Sequence, residues 1–388
     1  MSLTGRDIVC VGFSDWSADV LTNQQHLLAR AADCNRILFV ESLGLRRPQL
    51  ARGDLWRMAA RLARGLAPPM KIDGVHVLSP LVLPLHSNAL ARRINAQLLP
   101  HLVARAAGKL GLHEPVLWSF VPQAEILIDR LEPSRILYYI DDDHAAKPGI
   151  DAASFKASED RFARRADVIL ASSPELVRRM HLLNDNVHYA PNVADTRLFA
   201  QAMEPGPVDS ALASLPEPRI VYIGAILAAT IDMEIMVKLA HLRPDWSFAF
   251  VGPVGQGDPH TNIQALRSAP NVHLLGHRPH DSLPSVLRGA EATIIPYRVD
   301  RQMASVFPMK TYEYLAAGRP VVSTPLAALA DVPDVTQAAT AEEFALRLQE
   351  AIDRDTPAAR TARSAAARDH SWESRLQQIA SVLDVDRL

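Results

Sequence analysis

At 388 residues, with 48% apolar and 22% charged side chains, the chain has the make-up of a globular protein and the length for two domains. Its formal net charge of −2 supplies no global basic field and argues against a nucleic-acid partner. Two cysteines, Cys10 and Cys34, lie in apolar runs without metal-ligand spacing, which predicts reduced thiols in a cytoplasmic protein. The opening "MSLTGRDIVC" has no basic region before a long apolar run, so no signal peptide is expected, and no stretch of about 18 apolar residues predicts a membrane span.

Apolar, β-branched runs alternate with helical patterns along the chain. In the first half the predicted strands are 7–13, 36–42, 75–83, 115–120, 135–141, 168–173 and 187–192. Amphipathic stretches such as "NQQHLLARAA" (23–32) and "SFKASEDRFARRA" (154–166) lie between several of them. Runs of this kind suit strands buried on both faces of a parallel sheet. The stretch from Arg46 to Lys71 is basic apart from Asp54, with Leu55, Met58, Ala59 and Leu62 at helical spacing. It reads either as a basic surface helix over the core or as an interfacial helix on anionic lipid.

"YYIDDDHAAKPG" (138–149) ends a buried strand with three aspartates, at the edge where a parallel sheet presents reactive groups. Three readings stay open: an Asp-x-Asp metal pair (Asp141, Asp143), a solvated strand end, or a general base whose pKa neighbouring carboxylates raise. Residues 193–218, rich in Pro and Ser, read as a linker. A second series of strands is predicted at 219–225, 247–253, 272–277, 292–297 and 320–325. "VGPVGQG" (251–257) lacks the dinucleotide glycine spacing and reads as a loop that lets backbone approach a ligand, with Gly252 in it.

In "SVFPMKTYEYLAAGRPVVSTP" (305–325), Pro308 opens a helix and Gly318 with Pro320 closes it. Lys310 then sits in the first turn, where the helix dipole disfavours a cation by about 0.3–1 kcal/mol. Either it forms a solvated pair with Glu313, or it serves a ligand. On the second reading Lys310 meets a diphosphate and Glu313, three residues on and on the same face, accepts hydrogen bonds from ribose hydroxyls. The final helix, "SWESRLQQIASVL" (371–383), follows the completed second sheet and is expected to cross back to the first domain. The expected division is 1–193 with 371–388 on one side and 194–370 on the other, two Rossmann-like domains facing a cleft.

"PMKTYEYLAAGRPVVSTP", "DVILASSPELVRRM…NVHYAPNVADTRLF" (167–199) and "RIVYIGAI…DMEIMVKLAHLRPDWSFAFVGPV" (219–254) resemble GT-B glycosyltransferases of the family 4-like group that includes teichuronic acid biosynthesis enzymes. More distantly they resemble the xanthan glucuronosyltransferase. The resemblance implies a donor site of Lys310, Glu313, Met309, Gly224, Gly252 and Tyr297. It places the catalytic aspartate at Asp142 and the acceptor-facing loop and helix at 12–30, with Asp15, Trp16, Gln25 and His26 as candidates; Trp16 reads equally as a ring that stacks on a sugar face or as a half-buried core residue. Two features depart from the family pattern: Ser305 stands where a first glutamate is usual, and Ala228 and Ala229 replace a phosphate-binding Arg/Lys pair.

The reading that follows is a glycosyltransferase moving a sugar from a nucleoside diphosphate sugar to a glycan or lipid-linked acceptor, for cell-surface polysaccharide. No cofactor or metal is expected. The enzyme is expected in the cytoplasm, with peripheral contact to the inner face of the plasma membrane. A GT-B-fold nucleotide-sugar epimerase and a non-catalytic sugar-nucleotide scaffold are the alternatives.

Overall fold

A computed structural model describes residues 3–17, 22–41, 68–80, 89–146, 150–256, 258 and 261–384. The chain separates into two compact units, Met1–Pro191 with Arg375–Leu388, and Asn192–Ser374.

The first unit is built on an eight-stranded sheet. Its strands are β1 (Asp7–Val11), β2 (Arg36–Val40), β3 (Met70–Ile72), β4 (Val75–Leu78), β5 (Val116–Ser119), β6 (Arg135–Ile140), β7 (Val168–Ala171) and β8 (Val187–Tyr189). They lie in the order β3-β4-β2-β1-β5-β6-β7-β8, parallel except for β3, which pairs antiparallel with β4. Val9, Leu38, Leu117, Leu137 and Ile169 are fully buried, as the continuous apolar runs require of a sheet covered on both faces.

The second unit holds a six-stranded parallel sheet of β9 (Arg219–Ile223), β10 (Ser247–Val251), β11 (Val272–Gly276), β12 (Ala292–Ile295), β13 (Val321–Ser323) and β14 (Val335–Gln337). The order is β11-β10-β9-β12-β13-β14. Connections leave β9 in opposite directions toward β10 and, later, β12, so the switch point of this doubly wound sheet lies between the carboxyl ends of β9 and β12. The first sheet has the equivalent point between β1 and β5.

Each apolar run picked out in the sequence contains a strand, and two strands escaped it. β3 is joined to β4 by Asp73-Gly74, both at positive φ (50° and 82°), a two-residue hairpin that the Asp-Gly pair could have announced. β14 is three residues long and only partly buried. The linker expected at 193–218 is instead part of the second unit. Helix Thr196–Ala200 and the turn Ser210–Ala213 bury Phe199 and Leu212 completely, and Arg288 ties down the carbonyls of Gln201, Glu204 and Pro207. Its prolines and serines punctuate short helices rather than free the chain.

The last helix, Trp372–Leu383, spans the boundary at Arg375 and returns the chain to the first unit. There Arg375 Nη1 donates to Tyr139 Oη at 2.7 Å, Gln378 Nε2 donates to the Tyr189 carbonyl at 3.0 Å, and Ile379 is fully buried. Among the described residues no helix is long and apolar enough to cross a membrane. Most of the basic stretch 46–71, including Trp56, lies outside the described residues, and its end, Met70 and Lys71, forms part of the edge strand β3.

Candidate functional site

In the second unit the switch point is occupied by the Lys310 side chain. The helix Lys310–Ala316 begins at this residue, after the turn Met303–Ser305, which buries Met303 and Ser305, and the loop Val306–Met309. The ammonium Nζ donates to Tyr297 Oη at 2.5 Å, just beyond β12, and to Tyr222 Oη at 3.4 Å, on β9. It also lies over both rings, 4.6 Å from the Tyr222 centroid and 4.7 Å from that of Tyr297. Two π faces and two hydroxyl oxygens therefore offset the unfavourable dipole position. Burial alone would lower the Lys310 pKa, but the surrounding oxygens of Tyr222, Tyr297 and Glu313 raise it overall, and the amine stays charged. Burial pushes Tyr222 up, so its hydroxyl stays protonated.

The strand ends are shaped to admit this amine. Gly224, directly after β9, has φ +138°, and a Cβ there would stand 2.9 Å from Lys310 Nζ. Gly252, directly after β10, has φ +146°, and its Cβ would stand 2.1 Å from the Gly224 carbonyl oxygen. Gly224 thus makes room for the lysine and Gly252 for Gly224. The close approach that Gly252 permits in this structure is that of the neighbouring backbone at Gly224.

Glu313 lies one turn beyond Lys310 on the same helix and is partly buried. Burial holds its carboxyl up to about 7, with Lys310 pulling in the opposite direction. No hydrogen bond to its carboxyl comes from the described residues, and its partly exposed oxygens are open to solvent or to a ligand. Tyr314, next along, faces inward, where its hydroxyl accepts from the Ile223 amide at 2.7 Å and locks the helix to β9. Met309 precedes the helix and is partly exposed, and Ser305 is buried. Tyr222 was missed in the sequence because a tyrosine inside a buried strand reads as core. Ala228 and Ala229 bring no charge to the loop after β9, and the Ala228 amide donates to Thr261 Oγ1 at 3.1 Å.

In the first unit the aspartate cluster ends β6, and its three carboxylates go three ways. Asp141 is buried against His144, Oδ1 to Nε2 at 3.1 Å, and Phe13 lies over that histidine at 4.9 Å. Asp143 pairs with Arg179 at 2.9 Å, and Arg179 pairs in turn with buried Glu159 at 3.1 Å. Asp142 is partly exposed and accepts the Asp143 amide at 2.8 Å. Asp141 and Asp143 of the Asp-x-Asp pair serve separate partners, His144 and Arg179, and among the described residues no three His, Cys, Asp or Glu side chains converge.

Two acceptor candidates have other duties. Trp16 is 4% exposed, packs edge-on against Phe39 at 5.1 Å and anchors the loop through its amide, which donates to buried Glu41 at 2.8 Å. Its ring offers no face for a sugar. Gln25 is buried and spends its amide on the cap of helix Asn23–Ala31, accepting the Thr22 amide at 3.0 Å and donating to the Asp15 carbonyl at 3.1 Å. Asp15 and His26 are partly exposed on either side of this cap.

Comparison with known proteins bears on the whole arrangement. Residues 217–354, which carry Gly224, Gly252, Tyr297, Lys310 and Glu313, match the model of the family described as glycosyl transferases group 1. A protein of Bacillus subtilis (strain 168), TuaH, provisionally named a teichuronic acid biosynthesis glycosyltransferase, is 32% identical over 176 residues, 44% of this chain. The matched stretch spans 43% of that relative's length, so the chain matches less than half of it. Anabaena HepE, solved with UDP and glucose, superposes over 98% of this chain and 100% of its own, with TM-score 0.64 and 14% identity. α,α-Trehalose 6-phosphate synthase from Burkholderia multivorans covers 98% of each chain at TM-score 0.65 and 12% identity. At that identity the likeness establishes the fold: two parallel-sheet α/β domains of the GT-B class.

Proposed function

We propose that the chain is a GT-B glycosyltransferase that moves a hexose from a nucleoside diphosphate sugar to a glycan or lipid-linked acceptor in polysaccharide synthesis. The observation that carries this is the pairing, on one helix face at the switch point of the second sheet, of a charged Lys310 and a partly exposed Glu313 carboxyl that no described side chain occupies. A cation for the diphosphate and an acceptor for ribose hydroxyls suit a sugar nucleotide. The match to glycosyl transferases group 1 and the UDP bound by HepE support the same reading.

In the reaction, the acceptor hydroxyl oxygen bonds to the anomeric carbon while the bond from that carbon to the diphosphate oxygen breaks. The electron pair leaves with the diphosphate, whose growing charge Lys310 stabilises from a preformed position. The hydroxyl proton passes to Asp142, the partly exposed carboxylate of its cluster, acting as general base. This assignment places the leaving-group charge on Lys310 and calls for no metal or cofactor. Asp15 and His26 are assigned to the acceptor side. We place the enzyme in the cytoplasm, with the basic stretch 46–71 lying on anionic lipid at the inner membrane face.

The test is turnover with UDP-, GDP-, ADP- and dTDP-hexoses, with and without a lipid extract containing polysaccharide acceptors. Diphosphate released only with acceptor, and sugar label moved into the lipid or glycan, supports the proposal. Free diphosphate and an altered sugar without acceptor would make the chain an epimerase, and binding without turnover a scaffold.

A further inference from the structure

The helix that carries Lys310 and Glu313 is only seven residues long, too short to hold its own geometry in water. Its position must come from what grips it. At its start Lys310 is tied to Tyr297, and on its inner face Tyr314 is tied to β9. Its end is closed first by its own backbone. Gly318, at φ +70°, donates to the Leu315 carbonyl at 2.9 Å and the Arg319 amide donates to the Tyr314 carbonyl at 2.9 Å. Two further carbonyls there, those of Ala316 and Gly318, are taken by a second helix, Pro357–Ala367. Ser364 Oγ donates to the Ala316 carbonyl at 2.7 Å, and Arg363 reaches the Gly318 carbonyl with Nε at 3.0 Å and Nη2 at 2.9 Å.

Arg363 is 7% exposed and is held by Asp355, which also pairs with Arg360 at 2.6 Å. Arg319 adds a further buried guanidinium, donating to the Ala290 carbonyl at 2.8 Å. Cations gathered at the carboxyl end of a helix are favourable for its dipole, and here they offset a start that carries Lys310. One turn before that end, Tyr312 is stacked on His370 at 3.8 Å and 9°.

We propose that Arg363 is a positioning residue of the sugar-nucleotide site: through the Gly318 carbonyl it fixes the helix that presents Lys310 and Glu313, and donor affinity depends on it. This rests on the donor reading of Lys310 and Glu313. A misplacement of about 1 Å at such a site costs up to about a hundredfold in function. Arg363 itself touches neither of those side chains.

The control is Arg288, which also binds three carbonyls of the second unit, at 2.6–2.9 Å, without touching the Lys310 helix. UDP, GDP, ADP and dTDP are titrated by calorimetry into wild type, Arg363→Met, Arg363→Lys, Arg288→Met and Lys310→Ala. Melting curves are recorded for each. The expected result is affinity about ten- to a hundredfold weaker in Arg363→Met, partial recovery in Arg363→Lys, and near wild-type affinity in Arg288→Met at a similar melting loss. The pH at which affinity changes should also move down in Arg363→Met, since a helix no longer seated exposes Glu313, and should stay in place in Arg288→Met. Lys310→Ala losing affinity while Arg363→Met binds like Arg288→Met would overturn the positioning role alone. A wild type that binds none of the four diphosphates would remove the donor site, and the positioning role with it. If Arg363→Met does not fold, Arg363→Lys carries the test: wild-type affinity and pH profile there would overturn the proposal.

Discussion

Replacing Glu313 by Gln should make the protein more stable and less able to bind its donor, and pH separates the two effects. Burial holds the Glu313 carboxyl up to about 7, whereas in the unfolded chain it ionises near the ordinary value of about 4.3. Between those two values the native state binds the extra proton, so stability falls as pH rises through the window and stays reduced above it. One pKa unit corresponds to about 1.4 kcal/mol, which sets the penalty at pH 8 on the order of 3 kcal/mol. Because Glu313 is only partly buried, about 1–3 kcal/mol is the fair range. Glutamine keeps the shape and cannot ionise. Glu313→Gln should therefore melt about 2–10 °C higher than wild type at pH 8, with most of that gain gone at pH 5. Over the same comparison nucleotide affinity at pH 8 should fall by about 1.5–3 kcal/mol, the worth of hydrogen bonds to a charged group. Differential scanning calorimetry at the two pH values, with titration calorimetry alongside, reads both. An equal gain at pH 5 and pH 8, or no gain at all, would refute the burial argument.

Gly224→Ala should destabilise the second unit by about 1–3 kcal/mol and weaken nucleotide binding, because its methyl would meet the Lys310 ammonium on a backbone at φ +138°; urea unfolding and calorimetry measure the two. Asp142→Asn should lose about 10²–10⁴-fold in turnover while keeping donor affinity, whereas EDTA should leave the wild type active. Near-normal turnover of that variant, or activity abolished by EDTA and restored by manganese, rejects the assignment. Trp16→Ala should cost about 3–5 kcal/mol as a core deletion, and a melting temperature unchanged from wild type would contradict its burial. Flotation with anionic vesicles at low salt should carry the protein upward and high salt should release it; protein that stays in the soluble fraction at low salt would end the membrane proposal.

Much of this was legible in the residues. The alternation of buried runs with amphipathic stretches gave both sheets, since a strand covered on two faces has no polar side to disguise it. The Lys310–Glu313 spacing announced a shared helix face, because three residues make nearly one turn. What stayed hidden depended on partners distant in sequence. Tyr222 looked like core until Lys310 was placed over its ring, and the close approach of Gly252 to Gly224 joins two loops far apart in sequence. The burial of Trp16 and Gln25 was out of reach for the same reason: their neighbours Phe39, Glu41 and Thr22 decide their exposure, and side-chain type does not. The prolines of 203–218 suggested a free linker, because punctuation of short helices and absence of structure have the same composition.

Lys310 as the cation of a sugar-nucleotide site is tested most directly by titration calorimetry of UDP, GDP, ADP and dTDP into wild type and Lys310→Ala. The wild type should bind at least one of the four saturably, and Lys310→Ala should bind that nucleotide weaker by about 1.5–3 kcal/mol with its fold intact. Wild-type affinity in Lys310→Ala, or no binding of any of the four by the wild type, would contradict it.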